Sequence, residues 1–231
     1  MGRATALLAL LGALVVYYKT VERLWDASLW WDIAWLDLVL MPAVFLLVWL
    51  VLPAWRSRWT IAFAAGFGVV AAVTEHQGVH LIANFTKLAA ITFLAFWFLS
   101  FFESLAWVVL VASIIPLVDI YSVFKGPTKE ITTNHQQTFY ALSFAFPAPG
   151  ALQQANLGLP DLLFFALFLA AAVRFGLRPF WTWLAGVVSF GVTMALAVGL
   201  TVDGLPALPL LSVAFLGVNA DLIWRRLRPA R

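Results

Sequence analysis

Residues 104–124 read SLAWVVLVASIIPLVDIYSVF, and their one charged side chain is Asp119. About 18 or more apolar residues in a row can cross a bilayer as a helix, so this stretch is read as a membrane span that carries an acid. A second acid, Asp161, ends the string Leu157-Gly158-Leu159-Pro160-Asp161, where the next apolar run opens. The last run opens on Leu205-Pro206-Ala207-Leu208-Pro209, with two prolines where an uninterrupted helix would have none. Acids held in lipid are costly, and those retained there are usually functional.

The rest of the chain supports the membrane reading. Of 231 residues, 64% are hydrophobic and 11% charged, against roughly 45–50% apolar and about 25% charged in soluble domains. Eight apolar runs are expected to form helices, near 4–18, 36–54, 59–74, 84–102, 104–124, 159–175, 180–200 and 205–224. The fold class is therefore an all-α integral membrane protein, a single membrane domain over residues 1–231. The first run follows Arg3 and is short, as a signal-peptide core would be. Tyr17-Tyr18-Lys19-Thr20 after it offers no clear small-residue cleavage site, so the run is read as a retained helix.

Charge placement orients the bundle. With these spans, Arg3, Arg56, Arg58, Arg174, Arg178, Arg225, Arg226, Arg228 and Arg231 fall on one side, and Lys19, Arg23, Lys87, Lys125 and Lys129 on the other. The positive-inside rule then puts both termini in the cytoplasm. The net charge of +3 is mostly this topological signal. A nucleic-acid partner would need a basic patch with its own fold, and the Arg-rich tail is only a few residues long. The absence of Cys removes disulfides, thiolate catalysis and sulfur-ligated zinc. Arg outnumbers Lys ten to four and Ala is abundant, which fits a GC-rich bacterial genome and hence the plasma membrane.

Two segments interrupt the apolar pattern. Lys19 to Trp35 mixes charges with Trp25, Trp30, Trp31 and Trp35, and is expected to lie at the interface, where indole rings settle. Lys125 to Asn156 joins the two acid-bearing runs through Gly126-Pro127, a polar centre from Thr132 to Gln137, and Pro147-Ala148-Pro149-Gly150. A connection that long is uncommon unless it has a function or is disordered.

Peptide-bond hydrolysis by carboxylates needs two that share a proton, one ionised to activate water and one protonated to polarise the scissile carbonyl. Asp119 near the end of one helix and Asp161 near the start of the next lie on the same side of the bilayer by topology alone. Each also has an ordinary reading. Asp161 after Pro160 is what a plain helix start looks like, and Asp119 with Tyr121 and Lys125 could mark the membrane boundary.

The ordered set of Asp119, Gly158-Leu159-Pro160-Asp161 and Pro206-Ala207-Leu208-Pro209 resembles the presenilin and signal peptide peptidase family of intramembrane aspartyl proteases. In that family the first aspartate lies in a Tyr-Asp motif, the second in Gly-x-Gly-Asp, and a Pro-Ala-Leu sequence forms part of the catalytic centre. The resemblance covers roughly residues 104–224 and makes 104–231 a presenilin-like catalytic half, with 1–103 an N-terminal helical scaffold. It implies that Asp119 and Asp161 are the catalytic dyad. It also implies that Gly158, Leu159, Pro160, Pro206, Ala207, Leu208 and Pro209 shape the site and help hold substrate, and that residues 206–208 lie beside the dyad in space. The implied reaction is hydrolysis of transmembrane or signal-peptide segments by water, with no cofactor or metal. The chain departs from the pattern at Val118, where the family has Tyr, at Pro160, where it has Gly, and in having eight helices rather than nine. With the C-terminus cytoplasmic, the catalytic half is oriented as in signal peptide peptidases.

Two other classes compete. A catalytically silent relative would bind membrane segments as a scaffold or chaperone, and a small-solute transporter would use the same acids as an ion site. A metal reading rests on His76 and His80, spaced i, i+4 beside Glu75, with His135 in the long connection. The order Glu-His-x-x-x-His and Gly78 between the histidines favour an interfacial cluster instead.

Overall fold

The computed structural model describes residues 2–25, 28–126, 136–150, 154–200, 202 and 205–227. Eight long helices are α1 (Arg3–Thr20), α2 (Leu29–Arg56), α3 (Thr60–His76), α4 (His80–Leu99), α5 (Leu105–Lys125), α7 (Leu159–Arg174), α8 (Pro179–Gly199) and α9 (Leu208–Leu227). Between α5 and α7 lie a short helix, α6 (Gln136–Ala141), and an antiparallel hairpin of β1 (Ser143–Pro147) and β2 (Gln154–Gly158). Successive long helices run in opposite directions. Consequently the hairpin, the end of α5 and the starts of α7 and α9 share one end of the bundle, and α1 begins and α9 finishes at the other.

Each of the eight apolar runs is helical, and six helices are long and apolar enough to cross a membrane: α1 with its following turn, α2, α4, α5, α8 and α9. The two shorter ones are α3, with 17 residues, and α7, with 16. At 1.5 Å per residue α7 is about 24 Å long, less than the roughly 30 Å hydrocarbon core. Its burial accounts for this. Every residue from Phe165 to Ala172 is buried, so α7 is surrounded by protein, and the hairpin occupies the space above its start.

The second helix begins earlier than its apolar run. Trp30, Trp31 and Trp35 lie within α2 and not in a separate interfacial segment. A π-helical stretch at Leu36–Leu40 lets the helix continue from its polar start into the core. The last helix begins later, at Leu208 rather than near 205, with Pro206 and Ala207 outside it. Pro206 has no N–H to give a helix and disfavours helical geometry in the residue before it.

Aromatic side chains fill the centre. Phe45 of α2 lies 4.5 Å from Phe165 of α7 and 5.2 Å from Phe190 of α8, centroid to centroid, and Phe168 stacks on Phe215 of α9 at 4.6 Å. Gly186 makes the α7–α8 approach possible, because a Cβ there would stand 2.7 Å from the Phe165 ring. Gly186→Ala is expected to destabilise the fold by about 1–3 kcal/mol, as overpacked cores do. A thermal melt in detergent checks this, and an unchanged midpoint would mean that the two helices are less tightly held.

At the end opposite the hairpin, the α7–α8 turn is fastened to α9. Arg178 forms a two-pronged pair with Asp221 at 2.6 and 2.8 Å. Its backbone N–H donates to Asn219 Oδ1 at 2.9 Å, while Asn219 Nδ2 donates to Thr182 Oγ1 at 2.9 Å. Asn219 is fully buried, so these bonds satisfy an amide that would otherwise be costly in the core. Asn219 and Asp221 thus tie α9 to the neighbouring turn, about two helical turns before α9 stops.

Candidate functional site

Asp119 sits on α5 six residues before its end, one helical turn after Pro116. This helix is peripheral: Trp107, Ile114, Leu117, Val118 and Tyr121 are all exposed. Asp119 itself is partly buried, facing the start of α9, and its Oδ2 accepts the backbone N–H of Leu208 at 3.0 Å. That N–H is one of the four donors that a helix start leaves unpaired. The Pro-Ala-Leu string is thus held directly against the first aspartate, with Ala207 and Leu208 buried at 5% and 3% exposure.

Asp161 occupies the third position of α7, partly buried at the hairpin end. It interacts with the backbone N–H of Gly158 and electrostatically with Asp119. An acid reaching back to the residue that precedes its helix is the return arm of a capping box. Gly158 is what allows the approach, since a Cβ there would stand 3.1 Å from Asp161 Oδ2. Pro160, in the first turn of α7, lacks an N–H where the helix would leave one unpaired anyway, so it interrupts nothing.

Both acids therefore receive a backbone N–H at a helix start, and Asp161 lies within electrostatic reach of Asp119 as well. Capping alone does not require the second feature. Two caps could sit on opposite sides of the bundle, and bringing like charges together in a low-dielectric region is unfavourable unless they share a proton.

The remaining expected site residues play lesser parts. Leu159 donates its N–H to Leu142 at 3.0 Å, closing the hairpin ladder. Pro209 lies in the first turn of α9, and Val118 and Tyr121 are exposed.

The hairpin was not foreseen in the long connection, although its signal is present. Phe144 and Phe146 alternate with Ser143 and Ala145, and Pro147-Ala148-Pro149-Gly150 follows as a turn. Both phenylalanines are fully buried. The outer edge of β1 is held by side chains from two helices: Asn84 of α4 accepts the Ala145 N–H at 2.9 Å and donates to the Ala145 carbonyl at 3.0 Å. Tyr18 of α1 donates to the same carbonyl at 2.7 Å, and Tyr17 to that of Pro147 at 2.8 Å. These three residues hold β1, β1 pairs with β2, and β2 leads directly into α7 and Asp161.

The ladder's phase has a consequence for β2. Since Ala145 spends its backbone groups outward, on Asn84, its partner Asn156 faces outward on the opposite edge, as does Gly158 opposite Ser143. A row of backbone groups leading to Asp161 thus lies along an edge that no other strand covers among the described residues.

The histidine pair is a correction. Helix α3 ends at His76 and α4 begins at His80, with Gly78 at φ 74° between them, so the two do not share a helical face. Glu75 instead pairs with His80 Nδ1 at 3.2 Å and Lys87 Nζ at 3.3 Å. Among the described residues no three His, Asp or Glu side chains come together as a metal site, and His135 lies outside the described residues. One membrane acid went unremarked in the sequence. Asp37, at the edge of the second apolar run, packs its carboxyl on Gly191 of α8, whose added Cβ would stand 3.1 Å from Asp37 Cγ.

Gly158→Ala tests the aiming of Asp161. The carboxyl would have to yield by a few tenths of an ångström, and displacements approaching 1 Å can cost about 100-fold in rate. Turnover is expected to fall about tenfold, with the melting temperature nearly unchanged. Undiminished turnover would show that Gly158 does not set the position of this acid. Compared with models of known protein families and with curated proteins, the chain matches none.

Proposed function

We propose that the chain is an intramembrane aspartyl protease that hydrolyses peptide bonds of transmembrane or signal-peptide segments. The observation that carries this reading is that Asp119 is bonded to the helix start at Pro206, Ala207 and Leu208 and lies within electrostatic reach of Asp161. The ionised member of the pair takes a proton from water as its oxygen attacks the scissile carbonyl carbon, and the protonated member donates to the carbonyl oxygen. Collapse of the tetrahedral intermediate breaks the C–N bond: the departing nitrogen receives a proton from the acid that gained one, and a hydroxyl proton of the intermediate returns to the other acid, restoring the pair. No cofactor takes part.

Substrate would bind as an extended strand. The outward groups of Asn156 can pair with such a strand, and residues 205–207, outside any helix, offer a second set of backbone groups. Both lie beside the acids. On the charge count both termini are cytoplasmic and the dyad sits toward the outer side of a bacterial plasma membrane, with membrane-spanning peptides as partners.

The capping contacts favour a second reading, a silent relative that binds membrane segments as a scaffold. The deciding experiment incubates purified protein in detergent with a panel of membrane-spanning peptides and follows cleavage by mass spectrometry. Products absent from the Asp→Asn variants support the protease. Retention of intact peptides without cleavage supports the scaffold.

A further inference from the structure

Two cavities, one almost wholly apolar and one with more polar walls, meet at one ion pair. The first, of about 680 Å³, runs between α3 and α4 and is lined by Ala64, Gly68, Ala72, Ala90 and Leu94, with Glu75 and Lys87 among its walls. The second, of about 460 Å³, lies over the hairpin face and is lined by Glu22, Asn84, Gln154 and Asn156, again with Glu75 and Lys87. An apolar groove and a polar vestibule thus share the two charged residues that bridge α3 and α4.

We propose that this double cavity is a binding site for one phospholipid with a zwitterionic head, its chain in the groove and its phosphate and ammonium laid against Lys87 and Glu75. Volume argues for a lipid chain. The groove falls within the roughly 300–1,000 Å³ of small-molecule pockets, whereas a membrane-spanning helix of about 20 residues would far exceed it. Length agrees. From Ile61 to Glu75 the groove follows α3 for about 21 Å at 1.5 Å per residue, more than the roughly 15 Å of one leaflet.

The charges argue for the head. Lys87 has three N–H donors and uses them on Glu75 Oε2 at 3.3 Å and the Tyr140 carbonyl at 3.1 Å, so one is left for a phosphate oxygen. Glu75 accepts from Lys87 and contacts His80, and its carboxylate has room for further donors from an ammonium. A purely anionic head would have to face Glu75 and Glu22. A zwitterion laid antiparallel to the pair meets an opposite charge at each end. Lys87 is only 9% exposed, so these contacts form away from bulk water, where they are strongest.

The test uses the full chain purified in detergent and native mass spectrometry with added phosphatidylethanolamine or phosphatidylglycerol. Phosphatidylethanolamine should be retained at least tenfold better. An added Cβ at Gly68 meets nothing within 4 Å, so Gly68→Phe should fold, fill the groove and reduce retention of both lipids at least fivefold. Glu75→Gln should remove the preference between heads while leaving chain binding. The proposal is overturned if the two lipids are retained alike by the parent, or if Gly68→Phe changes nothing. It is equally overturned if a photo-crosslinker at position 68 captures a membrane-spanning peptide and no lipid, which would assign the groove to a helix.

Discussion

Asp119→Asn and Asp161→Asn are each expected to abolish cleavage of a membrane-spanning peptide, with the double variant no slower than either single one. A pair that shares one proton works as a unit, so removing either member removes the whole contribution and the second substitution has nothing left to take away. Independent contributions would multiply instead. The same variants separate catalysis from capping. Asn keeps an oxygen that can accept the Leu208 or Gly158 N–H and removes the repulsion between two acids, so each variant should melt at or above the parent. If the single variants still cleave, the dyad is wrong. If they unfold while the parent cleaves nothing, the acids serve the fold.

How far the sequence carries this site is clear from particular residues. The apolar runs are helices because residues in lipid must satisfy their backbone groups within the segment, and length and hydrophobicity report that constraint directly. The boundaries moved where another force competes. The second helix starts at Leu29 because Trp30, Trp31 and Trp35 can remain helical while they anchor its end, and α9 starts at Leu208 because Pro206 will not enter a helix. Asp119 and the Pro-Ala-Leu string were readable as separate strings, and their meeting rests on one hydrogen bond across 89 residues.

The hairpin was harder to read for a physical reason. Five-residue strands give a weak alternation signal, and β1 has a helix side chain, not a third strand, along its outer edge. Asn84 sits in the middle of an apolar helix and looks there like an isolated polar residue. Lys87 likewise reads as an interfacial lysine, yet it bridges α3, α4 and the carbonyl of Tyr140. Polar residues in membrane helices find partners far away in sequence, and periodicity does not say which.

Asn84→Ala is expected to be the most damaging change outside the acids. The side-chain amide imitates a neighbouring strand, accepting from the Ala145 N–H and donating to its carbonyl. After truncation the carbonyl keeps the Tyr18 hydroxyl, but the N–H loses the acceptor it had, at a site where Asn84 is 4% exposed. Leaving a buried donor unpaired costs about 1–3 kcal/mol, so the melting temperature should drop and the Ala145 amide should exchange with deuterium much faster than in the parent. Cleavage should fall with it although Asn84 touches neither acid, because β1 holds β2 and β2 delivers Asp161. Tyr18→Phe is the milder comparison: it removes one of two donors to the same carbonyl and leaves the amide paired, so exchange at Ala145 should hardly change. Equal exchange in Asn84→Ala and Tyr18→Phe would show that the hairpin is held by its own packing, through Phe144 and Phe146, and that the helix side chains along its edge are incidental.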